Sequence, residues 1–253
     1  MRVMITSRQE TLLASIIKGY IGTAEPVSSK FLEKTGFFGL CSATIRAEMN
    51  ELEGLGYLAQ LYTSSGRVPT DRAYRYYVDN LVSGERQEMN ARQKTEIKNA
   101  ICKGRNNPRL INKNLAQILS ELTGNLVVTN ILEESDFFKV GLSSLFELPD
   151  FREFGRMSRL TSFFDQFEEI FNRLEKEFFG NFNERPDDIQ IKIGHENPVR
   201  NIKDETVMFA RYNLPRNHTG SLTLVGPTRM DYGKNIGLIR YTARELNKLS
   251  KQV

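Results

Sequence analysis

The sequence predicts an α+β protein built from two unlike parts, and three observations carry that expectation. Residues 6–82 hold three short amphipathic helical patterns followed by an alternating run and a tight turn. Residues 137–182 carry twelve of the sixteen phenylalanines. The last seventy residues hold three strand-like runs before a final helical pattern. A chain of 253 residues accommodates two modest domains, and 40% apolar content is enough to bury a core.

In chain order, Thr6 is a good N-cap with Gln9 three residues on in capping-box spacing. Leu12, Leu13, Ile16, Ile17, Tyr20 and Ile21 then recur at helical intervals until Gly22. Ser28 caps a second, short helix carrying Phe31 and Leu32, which Gly36 closes. Ser42 opens a third, in which Ile45, Met49, Leu52 and Leu55 face a core while Thr44, Arg46, Ala47 and Asn50 lie opposite. Gly56 to Tyr62 alternates like a strand, Thr63-Ser64-Ser65-Gly66 turns, and Arg67-Val68-Pro69 returns. Three helices and a hairpin in this order predict a winged helix-turn-helix domain over residues 1–82. In that architecture the third helix enters the DNA major groove and the hairpin lies beside the phosphate backbone. Thr70 or Asp71 then caps a helix with Tyr74, Tyr77, Val78 and Leu81.

Residues 83–114 are rich in Lys, Arg, Asn and Gln and read as a linker helix, with a further amphipathic helix from Leu115 to Leu122 and a buried strand at Leu126 to Thr129. From Phe151 to Phe178 apolar residues fall at steps of three and four, which predicts one long amphipathic helix. It either packs on its own domain or presents a dimerisation face through Phe154, Phe164, Phe167 and Phe171, since aromatic residues are enriched where surfaces associate. Strands are expected at 189–193, 206–210 and 220–225, and Gly226-Pro227-Thr228 leads into a final helix with Ile236, Ile239, Ala243 and Leu246 on one face.

Charge and composition narrow the function. The net charge of +4 divides into +1 over residues 1–82, +4 over 83–128 and −1 over 129–253, so no basic tract is present. Nucleic-acid binding would therefore rest on a few well-placed cations. The sequence has no apolar run near the roughly 18 residues of a membrane span and no secretory apolar stretch near its start, which predicts a cytoplasmic protein without a membrane partner. Cys41 and Cys102 lie far apart without metal spacing and read as buried thiols. His195 and His218 also lack metal spacing, and no phosphate-binding glycine loop is present, so neither an enzyme nor a cofactor is expected. Arg229 and Asp231 open the final helix, where Asp231 suits the helix dipole and Arg229 can pair with it.

Several stretches are familiar: Glu25-Pro26-Val27, Ser29-Lys30, Ser42-Ala43-Thr44-Ile45-Arg46, Glu51-Leu52-Glu53, Leu55-Gly56-Tyr57-Leu58, Thr63-Ser64-Ser65-Gly66-Arg67-Val68-Pro69-Thr70-Asp71 and Tyr74-Arg75-Tyr76-Tyr77-Val78-Asp79. They resemble the N-terminal domain of the HrcA family of heat-inducible transcription repressors. Ile193-Gly194-His195-Glu196-Asn197-Pro198 and Gly226-Pro227-Thr228-Arg229-Met230-Asp231-Tyr232 resemble that family's C-terminal signatures. The resemblance is close over residues 6–82 and 187–250. It implies a bacterial repressor of GroE- or DnaK-type chaperone genes that binds an inverted-repeat operator as a homodimer, assisted by a GroEL-type chaperonin. It also implies a GAF-like domain, here residues 115–253, with an inserted dimerising segment. The middle of this chain is shorter than in typical members, which makes the GAF-like domain a reduced one, with the Phe-rich segment 137–182 read as helical in place of the longer insertion. Ala47 stands where the family usually has Asn, and Tyr62 where many members carry His.

The candidate DNA-binding residues follow from these motifs. Ser28, Ser29 and Lys30 begin the second helix, where backbone amides and an ammonium suit a phosphate. On the third helix Ser42, Thr44, Arg46 and Asn50 offer short polar groups and one guanidinium, which can meet guanine O6 and N7 or a phosphate. The alternative is a solvated face with Arg46 paired to Asn50 or Glu53. Ser64, Ser65, Gly66 and Arg67 form the hairpin tip, where Gly66 allows close approach and Arg67 either meets DNA or pairs with Asp71. Arg72 and Arg75 either add backbone contacts or pack on Tyr74 or Tyr76. A second functional class is a regulatory interaction protein that binds a small ligand or chaperone and has weakened DNA binding.

Overall fold

The computed structural model describes residues 5–36, 39–63, 65–82, 89–104, 106–134, 136–171 and 188–250. The chain divides into two compact units, residues 1–86 and 87–253.

In the first unit, α1 (Ser7–Thr23) starts at the expected capping box, with the Gln9 amide donating to Thr6 Oγ1 at 3.2 Å and the Thr6 amide to Gln9 Oε1 at 2.9 Å. Ser28 caps α2 (Ser29–Lys34), and α3 (Ser42–Gly54) opens at Ser42 as expected, with Cys41 at its N-cap position. Leu12, Leu13, Ile16 and Ile17 of α1 meet a core completed by Leu32, Ile45, Met49, Leu52 and Tyr74. Each such side chain contributes about 1.5–3 kcal/mol through burial. Gln9 Nε2 donates to Glu51 Oε2 at 2.8 Å, and Arg8 pairs with the buried Glu48, so two side-chain links tie α1 to α3. The hairpin consists of β1 (Leu58–Ala59) and β2 (Val68–Pro69), antiparallel in the register Leu58↔Pro69. Thr70 caps α4 (Asp71–Tyr76), which continues as a π-helical segment, Tyr77–Val82.

The second unit opens with α5 (Ala91–Gly104) and α6 (Pro108–Thr123), the latter started by the Asn107 N-cap and Pro108 in the first turn. The linker helix read over 83–114 is helical over Ala91–Gly104 and again from Pro108, and both stretches pack within the second unit. Ile97, Ala100 and Ile101 of α5 are buried, and α5 packs on α6, while residues 83–88 lie outside those described. The polar composition that suggested a linker belongs to the outer face of α5. Closeness of the pair is enforced at Gly104, where a Cβ would come within 2.5 Å of the Ile111 side chain.

Five antiparallel strands form one sheet in the order β4-β3-β7-β6-β5: β3 (Leu126–Ile131), β4 (Asp136–Val140), β5 (Ile189–Ile193), β6 (Glu205–Leu214) and β7 (His218–Pro227). β4 corrects the reading of 137–182 as wholly helical. Strand alternation sends neighbouring Phe137 and Phe138 to opposite faces, and Phe137 meets Phe167 and Phe171 with ring centroids 5.9 and 5.0 Å apart. One sheet face is covered by α6 and by α9 (Tyr232–Leu249). There the Tyr212 hydroxyl donates to Asn112 Oδ1 at 2.6 Å, and Thr129 Oγ1 donates to the Asn112 carbonyl at 3.0 Å.

The opposite face carries the Phe-rich segment: α7 (Leu142–Phe146), a 3₁₀ turn at Pro149–Phe151, α8 (Phe154–Asp165) and a further helical stretch over 167–171. The single long helix expected from 151 to 178 is therefore interrupted before Phe154 and again at Gln166, and Leu174 and Phe178 lie outside the described residues. These breaks reset the phase of the stripe. Leu160, Phe163, Phe167 and Phe171 turn into a core with Val128, Val207 and Phe209. Phe167 and Phe171, expected at a dimer face, are 0% and 1% exposed and belong to this core. Phe164 is half-buried with Lys139 Nζ 5.2 Å from its ring centroid, and Phe154 alone of the four projects outward, 78% exposed.

Ion pairs fasten this segment to the sheet, two of them largely buried. Arg156 Nε donates to the buried Glu205 at 2.9 Å, and Arg229 grips Asp150 with Nε at 2.9 and 3.0 Å from its two oxygens. The expected pairing of Arg229 with Asp231 is thereby corrected: Asp231 instead caps α9 by accepting from the Lys234 amide. Asn197 of the Gly194-to-Pro198 signature donates its side-chain amide to the carbonyls of Gly194, Ile202 and Glu205, which folds the β5–β6 connection. No helix among the described residues is long and apolar enough to cross a membrane.

Candidate nucleic-acid interface

Most of the sequence-predicted residues of the first unit converge on one concavity of about 510 Å³. Ser28, Ser29 and Lys30 of the α2 start, Ser42, Ala43, Arg46, Met49 and Asn50 of α3, and Ser65, Gly66 and Arg67 of the hairpin line it. Among the described residues no carboxylate lines it, and neither Lys30 nor Arg46 has an acidic partner. Thr44, Arg72 and Arg75 stand outside the concavity, and Ser64 lies outside the described residues.

Local chemistry sets the geometry of the α2–α3 pair. Ser28 Oγ accepts from the Phe31 amide at 3.2 Å and so starts α2. Ser29 Oγ and Ser42 Oγ are 2.8 Å apart, and Glu33 Oε1 accepts from the Ser42 amide at 3.0 Å. A carboxylate at the first turn of α3 also complements that helix's dipole. Glu33 escaped the sequence reading because its partner is nine residues away and the two meet only when α2 and α3 cross. Thr44 Oγ1 lies 3.3 Å from Cys41 Sγ, and this hydrogen bond lowers the pKa of the thiol below its ordinary value. Both cysteines are exposed, contrary to the expectation of buried thiols, because each sits on the outer side of its helix or cap.

The hairpin residues prove to be structural as well as exposed to the concavity. Arg67 does not pair with Asp71; its Nη2 reaches Asn50 Oδ1 at 2.9 Å and Glu53 Oε2 at 2.8 Å, with the side chain only 13% exposed. That bridge pins the hairpin to α3 and commits the Asn50 carbonyl oxygen, which leaves the Asn50 amide hydrogens as donors. Among the described residues Arg46 pairs with neither Asn50 nor Glu53, both of which meet Arg67 instead. Gly66 is required by its own chain, since a Cβ there would lie 2.5 Å from the Val27 carbonyl carbon. Arg67 exchanges two backbone hydrogen bonds with Val27, at 2.8 and 2.9 Å, which seats the hairpin on the loop before α2.

Arg72 and Arg75 have other duties. Arg72 Nη1 donates to the Leu55 carbonyl at 2.7 Å and stacks its guanidinium 4.6 Å from the Tyr57 ring centroid, which closes the C-terminal end of α3. This replaces the expected packing on Tyr74 or Tyr76. Arg75 pairs with Asp79 one turn on, at 3.1 Å. Ala47 and Arg46 are both exposed on the outer side of α3.

Comparison with known proteins identifies relatives of the chain. The family model described as the HrcA protein C-terminal domain matches residues 70–236. A heat-inducible transcription repressor HrcA of Halalkalibacterium halodurans is 24% identical over 343 residues, covering 97% of this chain and 98% of the relative. The protein of the same name from Oceanobacillus iheyensis is 26% identical over 341 residues, covering 96% of each. These alignments exceed the 253 residues of this chain while spanning nearly all of it, so the difference in length is internal. A crystal structure solved at 2.2 Å, described only as that of a hypothetical protein, superposes with a TM-score of 0.79 at 18% identity over 98% of this chain and 99% of its own, which shows a shared fold. With two thirds of its length matched by the family model, this chain belongs to the HrcA family.

Proposed function

We propose that this protein is a DNA-binding transcriptional repressor of heat-shock genes, and that residues 1–82 act as a winged helix-turn-helix whose third helix reads the major groove. The observation that carries the reading is the concavity where Lys30, Arg46 and the hydroxyls of Ser28, Ser29, Ser42 and Ser65 meet without a carboxylate. Hydroxyls and cations of this kind suit phosphate oxygens, while exposed small side chains on α3 allow close approach to base edges. Arg46 is the reader: it takes guanine O6 and N7, with Lys30 and Ser29 on the flanking phosphates. Ala47 suits a thymine methyl where an amide would have suited adenine.

The second unit serves as the regulatory and dimerising part, a reduced GAF-like domain, and the protein binds an inverted-repeat operator as a homodimer in the cytoplasm with a GroEL-type chaperonin as partner. Two half-sites on a symmetric operator demand two reading helices, which is the physical case for a dimer. The relatives' shared name, heat-inducible transcription repressor, supports the regulated genes.

The test is fluorescence anisotropy on a duplex carrying the inverted repeat upstream of the organism's own chaperonin operon, at fixed salt. Arg46→Ala is expected to weaken binding by about 10- to 100-fold, the worth of one bidentate base contact, with an unchanged melting temperature. Equal affinity for variant and wild type would remove α3 as the reader. Absence of binding by the wild type itself would favour the interaction-protein reading, to which Ala47 and the committed Asn50 carbonyl point.

A further inference from the structure

The first turn of α3 is capped from outside its own helix. Cys41 stands at the N-cap position, where a serine, threonine, asparagine or aspartate would supply an oxygen and a thiol does not. The Ser42 amide, one of the donors that a helix leaves without an internal partner, goes instead to Glu33 Oε1 of α2 at 3.0 Å. Glu33 is exposed, and among the described residues no cation pairs with it. It does not line the concavity, but the residue it holds, Ser42, lines it together with Lys30 and Arg46. A carboxylate without a counter-charge beside a surface proposed for phosphates works against binding, because it repels every duplex whatever the sequence. The hydrogen bond to Ser42 supplies a reason for its place there.

Other polar anchors hold the middle and the C-terminal end of α3. Arg8 and Gln9 of α1 reach Glu48 and Glu51, Arg67 reaches Asn50 and Glu53, and Arg72 takes the Leu55 carbonyl. Among the described residues, the side-chain hydrogen bonds that join the N-terminal end of α3 to α2 are those of Ser42, to Glu33 and to the Ser29 hydroxyl at 2.8 Å. Both hydroxyls line the concavity and are shared with whatever fills it, whereas Glu33 stands outside. Arg46 follows Ser42 by four residues, one turn along the same face, so a tilt of the first turn is carried to its guanidinium. A bidentate contact with guanine tolerates only about 0.5 Å of displacement. We propose that Glu33 is a positioning residue, which holds the first turn of α3 on α2 in the pose in which Arg46 meets a base; this rests on the DNA-reading function proposed above. The bond serves the operator alone, whereas the charge weakens binding of operator and unrelated duplex alike, so the two roles of Glu33 move different quantities.

Affinity of the full chain for the inverted-repeat duplex and for a scrambled duplex of equal length is measured at about 0.1 M salt, and the ratio of the two is the readout. Glu33→Gln keeps an oxygen for the Ser42 amide and loses the charge. It is expected to bind both duplexes about two- to fivefold more tightly, with the ratio of the wild type. Glu33→Ala loses oxygen and charge together. It is expected to gain as much on the scrambled duplex while the ratio falls about tenfold, most of the worth of one base contact. Because Glu33 is exposed, both variants keep their fold, which circular dichroism checks. A wild-type ratio in Glu33→Ala would overturn the positioning role, whether both affinities rise because a phosphate takes the vacated Ser42 amide, or both fall in step with the melting temperature. A ratio in Glu33→Gln as low as in Glu33→Ala would overturn it too, since the retained oxygen would then not set the pose. If the wild type ignores both duplexes or binds them equally, the DNA-reading function fails and the positioning role with it; a lowered ratio confined to Glu33→Ala leaves that function intact.

Discussion

Arg46 and Arg67 line the same concavity and have different surroundings. Arg67 is nearly enclosed and spends its charge on Asn50 and Glu53, while Arg46 lies on the exposed side of α3. Removing a partner from a hydrogen-bonded, largely buried group leaves the others unsatisfied. Arg67→Ala is therefore expected to cost about 1 kcal/mol of stability, discounted because Glu53 is partly exposed, and to weaken DNA binding indirectly by releasing the hairpin. Chemical denaturation of Arg67→Ala beside Arg46→Ala reads the difference. Equal stability of the two variants would mean that the bridge to α3 contributes nothing. The sequence alone offered Asp71 as the partner of Arg67 because it is near along the chain; Glu53 and Asn50 are closer in space.

At the scale of elements, the hairpin depends on a close backbone approach. Val27 and Arg67 exchange hydrogen bonds, and Gly66 stands against the Pro26 and Val27 carbonyls. A methyl group at that position meets backbone, which cannot move aside as a flexible side chain would. Gly66→Ala is expected to destabilise the first unit by about 2 kcal/mol and to detach the hairpin from the loop before α2, as overpacking of a tight contact does. Hydrogen exchange at the Val27 and Arg67 amides is the measurement; protection equal to wild type would show that the loop accommodates the extra atom. The glycine was legible in the sequence as a turn residue, and its reading as room for DNA missed the nearer occupant. In the second unit the comparable devices are Gly104 against Ile111 and the Arg229–Asp150 pair, each joining elements that the sequence keeps apart.

At the scale of the whole molecule, the described phenylalanines of the second unit divide between its core and its surface. Phe163, Phe167 and Phe171 are consumed by the core of the second unit, and Phe154 is left 78% exposed. If the proposed homodimer uses that surface, Phe154→Asp places a charge where apolar contact is needed and is expected to convert the dimer to a monomer with an unchanged melting temperature. Light-scattering mass with and without the operator duplex reads both states. A dimer that persists in the variant would move the interface away from Phe154. The internal shortening relative to the HrcA relatives gives this measurement its weight, because the missing stretch cannot supply the contact.

What the sequence determined by itself was local. Thr6 with Gln9, Ser28 and Thr70 cap helices through partners three residues away, and the three C-terminal strands and α9 follow from period and turn chemistry, so all were readable. The residues proposed to face DNA were named from short motifs on the α2–α3 pair and the hairpin, and the fold gathers most of them round one concavity. The tertiary structure decided what local pattern leaves degenerate. Asp136–Val140 is a strand because it pairs with β3, although its two adjacent phenylalanines place it by composition in the Phe-rich segment read as helical. α5 joins the second unit because Ile97 and Ile101 find α6, and Arg229 chooses Asp150 over Asp231 because the fold brings the distant carboxylate into bidentate reach. Capping and periodicity are settled within one turn of chain, whereas burial and ion pairing depend on which residues the completed fold sets side by side.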